Sequence, residues 1–185
     1  MRVLIRRSLL VGLTFCLLAT PHASQAALSA AGKAQVTFSA NGPMGMKIAG
    51  QTTELKLVDD GTTLTVIVVL AHLETGIGLR DSHMREKYLE VPKYPKAQLS
   101  VARSLLRMPG QGADVDAEAK GELLLHGVKK SVAFRYHAAL GAHGLRVSGK
   151  LHLDIRDFGI EVPKYLGVSV KPEVEIGSEF EAKND

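Results

Sequence analysis

The chain has 185 residues, of which 45% are hydrophobic and only 5% aromatic, and its formal net charge is +4. A chain of this length accommodates one domain, and its modest charge argues against a nucleic-acid-binding role. Its single cysteine excludes an intrachain disulfide, so the stability of the domain has to come from an apolar core.

The first 26 residues have the order of a secretory signal peptide. Three arginines precede an apolar run at 9–18, and small residues surround Ala26. We expect cleavage after Ala26, through either the general secretory or the twin-arginine route, and a mature domain of residues 27–185. Cleavage removes three cations and the cysteine, so the mature domain has a charge of about +1.

The dominant pattern in the mature chain has a period of two, which is typical of strands with one buried face. Short turns rich in glycine and aspartate separate the candidate strands, which favours an antiparallel meander that closes into a sandwich or a barrel. Eight strands are predicted, at 35–40, 54–59, 62–71, 97–105, 115–126, 132–140, 145–155 and 173–181.

One segment, residues 79–89, lacks this alternation and has few β-branched residues. Asp81 or Ser82 is expected to cap a short helix at about 80–89, and the two prolines within 91–95 end it. We expect this helix to lie over one end of the β-structure.

Three groups of motifs, in the same order along the chain, carry a resemblance to a known family. The segment 74–97 contains TG, LRD, HMR and KYP, the segment 121–130 reads GELLLHGVKK, and DFGI at 157–160 precedes VEI at 174–176. With these motifs the chain resembles the YceI-like family of bacterial periplasmic polyisoprenoid-binding proteins.

The resemblance implies an all-β fold, an extended lipocalin-like eight-stranded antiparallel β-barrel with the short helix at one end. It also implies a periplasmic protein whose barrel holds an isoprenoid lipid, either a polyprenyl chain or a prenylated quinone, in an apolar tunnel. Such a protein is a carrier, with no catalytic residues, no metal and no cofactor beyond the bound lipid.

The apolar faces of the predicted strands supply the candidate tunnel lining. The same residues are also what an ordinary packed core would use, and the strand patterns alone do not separate the two interpretations. The candidates are Val36, Phe38, Leu64, Val66, Val68, Phe134, Tyr136, Val147, Leu151, Ile176 and Phe180.

Arg80, His83 and Arg85 are the candidates for contact with a polar head group. A guanidinium group pairs well with a phosphate and donates hydrogen bonds to a quinone carbonyl. The competing interpretation is that Arg80 and Asp81 pair with each other or with strand ends and fix the helix as a plug.

Other functions have less support in the sequence. The chain has no Gly-x-Ser-x-Gly motif, and the pair His83 and Glu86 is too small a set for a closed zinc site. The remaining histidines, His126 among them, fall on turns or polar faces, where solvated histidine is usual.

Two alternatives stay open: a membrane barrel, and a periplasmic barrel that acts mainly in stress response or by docking a partner, such as a membrane cytochrome. The sequence leaves the oligomeric state open.

Overall fold

A computed structural model describes residues 27–165 and 168–184, so the predicted signal peptide of residues 1–26 lies outside the described part. The fold is all-β, as predicted. The strands are β1 (Leu28–Asn41), β2 (Lys47–Thr52), β3 (Leu55–Asp59), β4 (Thr63–Val69), β5 (Lys96–Ala102), β6 (Asp114–Leu125), β7 (Val128–Gly141), β8 (Gly144–Asp154), β9 (Lys164–Tyr165), β10 (Val168–Ser169) and β11 (Glu173–Asn184). Nine of them form one antiparallel sheet in the order β2-β1-β11-β8-β7-β6-β5-β4-β3, which curls into a nearly closed barrel. Strands β9 and β10 form a separate small hairpin.

The prediction of eight strands in the barrel was wrong by one, because it missed β2. Strand β2 pairs with the second half of β1, and β3 pairs with β4. The two short strands run in the same direction and are separated only by Thr53 and Glu54, so together they occupy one position of an eight-stranded barrel. The glycine-rich turn just before Lys47 hides the short alternation of β2 in the sequence.

The break between β2 and β3 is stabilised by its own hydrogen bonds. The hydroxyl of Thr52 accepts a hydrogen bond from the backbone N–H of Glu54 at 3.1 Å. The carbonyl of Glu54 accepts one from the N–H of Val69 at 3.0 Å, at the end of β4. The buried Thr52 therefore stabilises the point at which the chain stops pairing with β1 and starts pairing with β4.

The antiparallel order gives the barrel two distinct ends. We call the end formed by residues 42–47, 70–96, 126–130, 155–165 and 168–173 the helix end, because it carries the only α-helix of the described chain. The opposite end, formed by the connections at 60–62, 103–113 and 142–143, is called the far end.

The helix prediction was correct in place and wrong in its cap. Helix α1 spans Gly78–His83 and continues as a π-helical turn over Met84–Tyr88. Ile77 occupies the N-cap position without a side-chain cap, because Asp81 lies one turn further along and its carboxylate accepts the N–H of Thr75. No helix within the described ranges is both long and apolar enough to cross a bilayer.

The apolar core consists of two clusters stacked along the barrel. The far-end cluster contains Leu28, Val36, Leu55, Ala119, Tyr136, Ala138, Leu145, Phe180 and Ala182. The helix-end cluster contains Leu70, Val91, Leu123, Leu125, Leu151, Leu153, Phe158 and Ile160. Phe134 and Ile176 are partly buried and pack against both clusters, so they mark the waist between them.

A buried carboxylate ties the seam of the barrel at the far end. Asp59, at the end of β3, has a side chain with 0% exposure. Its Oδ2 accepts hydrogen bonds from the N–H of Leu28 at 2.9 Å and from Nη1 of Arg103 at 2.8 Å, and its Oδ1 accepts the N–H of Gly61 at 2.9 Å. One side chain thus joins the start of β1, the end of β3 and the turn after β5.

We expect Asp59→Asn to lower the free energy of unfolding by about 3 kcal/mol, because it removes the buried negative charge that Arg103 and two backbone N–H groups bind. Urea unfolding followed by circular dichroism measures this. Glu118→Gln is the matched control, since it removes only the exposed ion pair with Arg135 and should leave the midpoint unchanged. Equal effects of the two substitutions would show that Asp59 does not hold the seam.

Candidate functional site

Strand register places a continuous apolar row on the inner wall of the barrel. Phe38 lies opposite Ile176, Ile176 opposite Leu151, Leu151 opposite Phe134, and Phe134 opposite Ala119. Because register is shared across five neighbouring strands, these side chains point to the same face of the sheet. The buried positions of Leu151 and Ala119 identify that face as the interior.

The structure brings the predicted lining residues together on this inner face. Ten of the eleven belong to the two core clusters or pack against them, and Phe38 belongs to neither. Val36, Tyr136, Leu151 and Phe180 are buried. Those that keep part of their surface exposed are Phe38, Leu64, Val66, Val68, Phe134, Val147 and Ile176.

The surface that these seven side chains keep exposed indicates how completely the interior of the barrel is filled. An inward side chain in a nearly closed barrel has neighbours in its own strand and in both flanking strands. Surface that stays accessible on that side faces space inside the barrel or an opening into it. Two of the seven, Phe134 and Ile176, lie at the waist between the two buried clusters, and four others pack against the far-end cluster.

Two residues of the lining have individual constraints. Phe38 lies over Gly50 of β2, where a Cβ atom would overlap the aromatic ring, so the ring takes the space that a side chain at position 50 would fill. Tyr136 is buried, and its hydroxyl oxygen accepts the N–H of Arg107 at 2.6 Å and donates to the carbonyl of Arg107 at 3.1 Å. Its polar end is therefore occupied by backbone of the far-end connection.

The head-group candidates lie on the segment that covers the helix end. The Nε of Arg80 donates to the hydroxyl of Thr75 at 2.7 Å, and its Nη2 donates to the Thr75 carbonyl at 3.0 Å. Nη1 of Arg85 donates to the carbonyl of Leu73 at 3.1 Å. His83 is exposed on the same helix. Two of the three candidates are thus engaged in holding residues 73–75, which is the arrangement expected of a fixed plug.

Asp81 is the buried acid of this arrangement, with 6% of its surface exposed. Its Oδ1 accepts both the backbone N–H of Thr75, at 2.7 Å, and the Thr75 hydroxyl. Burial by itself raises the pKa of Asp81, but the hydrogen bonds from Thr75 and the charges of Arg85 and Arg80 outweigh it. The pKa of Asp81 is consequently held below its ordinary value.

Residues 73–75, which precede helix α1, also cover the free edge of β2. The N–H of Gln51 donates to the carbonyl of Glu74 at 2.8 Å, and the N–H of Glu74 donates back at 3.0 Å. This isolated bridge continues the β2 ladder by one pair. Thr75 then connects the edge directly to Arg80 and Asp81, so barrel edge and helix form one hydrogen-bonded unit.

His126 is not the solvated histidine that the sequence suggested. Its side chain is only 11% exposed, and its ring lies 4.5 Å from that of Tyr94. Its Nδ1 lies 3.2 Å from the carbonyl oxygen of Phe158, and its Nε2 lies 2.8 Å from a carboxylate oxygen of Glu90 without hydrogen-bond alignment. Three segments of the helix end therefore meet at this ring.

A polar cleft of about 870 Å³ lies against the outward rows of the sheet and shares only Tyr136 with the predicted lining. On its wall, Nδ1 of His137 lies 3.1 Å from Asp116 and 4.0 Å from Asp114, in an exposed cluster. Sequence reasoning missed this group, because the pairing of β6 with β7 brings together residues more than twenty positions apart. The alternating charges of the two strands were its only signal.

Comparison with known proteins places the chain in a family. The model of the YceI-like domain matches residues 27–182. No curated protein matches the chain.

Several solved structures have the same fold at low sequence identity. A polyisoprenoid-binding domain from Saccharophagus degradans, described as implicated in plant cell wall breakdown, is 15% identical, with a TM-score of 0.72 over 87% of this chain and 100% of that one. BcnA from Burkholderia cenocepacia is 16% identical, with a TM-score of 0.64 over 82% and 96%. The YceI protein of Campylobacter jejuni is 16% identical, with a TM-score of 0.52 over 75% and 85%.

We expect Arg80→Ala to destabilise the fold by about 1 kcal/mol, because it removes two charge-assisted hydrogen bonds from a partly exposed group. His83→Ala, on the same helix, should leave stability unchanged. Urea unfolding of both variants measures the difference. An unfolding midpoint in Arg80→Ala equal to that of the unsubstituted protein would contradict the role of Arg80 in fixing the helix at the end of the barrel.

Asp81 should make stability depend on acid pH. Its pKa in the folded state lies below the ordinary value of 3.8, so its contribution is fully present above that value and is lost as the pH falls through the folded pKa. Asp81→Asn should therefore be less stable at neutral pH and lose less stability between about pH 4 and pH 2. Melting temperatures across this range measure it, with the exposed Asp114→Asn as control. Parallel pH profiles for Asp81→Asn and the unsubstituted protein would refute this assignment.

Proposed function

The chain belongs to the YceI-like domain family, and we propose that it is an exported, non-catalytic carrier that holds an isoprenoid lipid inside its barrel. The ligand is a polyprenyl chain or a prenylated quinone, since both present the same branched hydrocarbon tail. The description of the Saccharophagus relative as a polyisoprenoid-binding domain supports this ligand class. The signal-peptide pattern of residues 1–26 supports a periplasmic location.

The observation that carries the proposal is the partly exposed apolar inner wall of the barrel. A packed core leaves little surface on large inward side chains, yet seven of the predicted lining residues keep some. A hydrocarbon tail lying along this wall gains roughly 0.8 kcal/mol for each CH₂ group it removes from water. Several isoprene units therefore supply ample affinity without any charged contact.

The geometry also refines the assignment of the polar head group. Arg80 uses Nε and Nη2 to hold Thr75, and within the described chain its Nη1 has no partner. His83 is exposed beside it on α1. We therefore assign the head group to the helix end, with His83 and the outer N–H groups of Arg80 as its donors, and we assign Arg85 to the support of Leu73.

The first experiment asks whether the protein contains such a lipid. The full-length precursor is expressed in a bacterial host, and the exported protein is purified from the periplasm without detergent and extracted with organic solvent for mass spectrometry. We expect a polyprenyl or prenylated-quinone species in stoichiometric amount. A soluble, folded protein that yields no such species would favour the alternative of a partner-docking barrel.

A pair of tryptophan variants then locates the lipid. The chain contains no tryptophan, so each variant introduces a single fluorophore. Val66→Trp fills inner space at the wall, whereas Thr65→Trp adds the same side chain to the outward neighbour in β4.

We expect Val66→Trp to retain a cooperative melting transition and to lose lipid severalfold, because the indole occupies the volume of the tail. Thr65→Trp should keep its lipid. Severe destabilisation of Val66→Trp alone would indicate a solid interior, and equal lipid content in the two variants would place the lipid elsewhere.

A further inference from the structure

Four large apolar side chains project into solvent at the helix end. Met44 is 105% exposed and Met46 54%, both in the turn between β1 and β2. Ile77 is 54% exposed and Leu79 70%, at the start of α1. Single exposed apolar residues are common on protein surfaces, but exposure this complete on two neighbouring connections at one end is not explained by the fold.

The turn that carries Met44 is held in a strained conformation. Met44 has a φ of 51°, in the left-handed region that residues other than glycine seldom occupy, and it follows Pro43. The N–H of Gly42 donates to the carbonyl of Met46 at 2.6 Å, and the N–H of Met46 donates to that of Pro43 at 3.0 Å. These bonds hold the turn closed, so the methionine side chain is presented outward instead of folding back onto the barrel.

Strand β2 connects the two exposed pairs. Met46 immediately precedes β2, and Gln51 of β2 pairs with Glu74, three residues before Ile77. Lys47 and Gln51 are four residues apart, which corresponds to roughly 13 Å along a strand. The methionine turn and the start of α1 therefore flank one short strand at the same end of the barrel.

The charge of the mature chain is polarised in the same direction. The helix end, as defined above, contains eleven lysines and arginines and seven acids, a formal charge of +4. The far-end connections have a formal charge of +1, and the rest of residues 27–185, mainly the strands, has −4. The exposed apolar side chains thus lie in the basic part of a molecule whose overall charge is close to neutral.

We propose that the helix end docks on the surface of a lipid bilayer that contains anionic head groups. Met44, Met46, Ile77 and Leu79 enter the boundary between head groups and acyl chains, and the surrounding cations, among them Lys47 and Lys171, attract the anionic lipids. This surface goes beyond the carrier function, because docking requires neither a filled interior nor an isoprenoid.

The far end provides an internal control of matched chemistry. Leu105 is 56% exposed and Met108 42%, on the connection between β5 and β6. These side chains are also apolar, but the only lysines or arginines on the far-end connections are Arg103 and Arg107, and Arg103 is paired with the buried Asp59. A membrane-docking surface at the helix end predicts that they do not contribute.

The test is co-sedimentation of the mature protein with vesicles of phosphatidylcholine, with and without phosphatidylglycerol, all free of isoprenoids. We expect binding to the anionic vesicles that high salt weakens. Met44→Ser/Met46→Ser and Ile77→Ser/Leu79→Ser should each reduce the bound fraction by at least about fivefold. Leu105→Ser/Met108→Ser should bind like the unsubstituted protein.

Charge variants separate the electrostatic contribution. Lys47→Gln/Lys171→Gln should weaken binding to anionic vesicles, while Lys33→Gln/Lys183→Gln, away from the helix end, should not. Unchanged melting temperatures establish that each variant is folded. Absence of binding by the unsubstituted protein, or equal losses from substitutions at the two ends, would overturn the proposal, and either result leaves the lipid content of the barrel as a separate question.

Discussion

The requirement that no strand edge be left without hydrogen bonds governs this structure. A sheet that curls into a barrel has two edge strands whose backbone groups need partners. Here the edge strands are β2 and β3, which are two halves of one broken strand. The second half of β1 pairs with β2, and the start of β1 meets the end of β3 through the carboxylate of Asp59. A buried charge takes the place of several ladder hydrogen bonds, and Arg103 neutralises it.

The same requirement explains the long connection between β4 and β5. Its residues 73–75 supply the missing partner for the outer edge of β2, through the pair of Gln51 and Glu74. Because Thr75 also binds Arg80 and Asp81, the short helix is positioned by the edge that it helps to cover. The start of the helix is consequently tied to the edge of the barrel by hydrogen bonds.

These constraints separate the inner and outer surfaces of the barrel. The inner wall is apolar, and the partly buried Phe134 and Ile176 link its two buried clusters at the waist. The outer wall carries paired charges, such as Arg135 with Glu118, and a polar cleft. An apolar ligand inside and a membrane surface at the helix end would each use a feature that packing of the domain alone leaves partly exposed.

The sequence by itself determined the strand character of the chain, the place of the helix and the inward set of side chains, because a period of two assigns alternate residues to opposite faces regardless of which strands are neighbours. It did not reveal β2, whose six residues follow a glycine-rich turn, nor the role of Asp81, which its position suggested as a cap. Only the tertiary structure decided how the barrel closes, that Arg80 and Arg85 hold backbone carbonyls, and that His126 lies against Tyr94 and Phe158. These are contacts between segments distant in sequence, and no local pattern of residues encodes the register that brings them together.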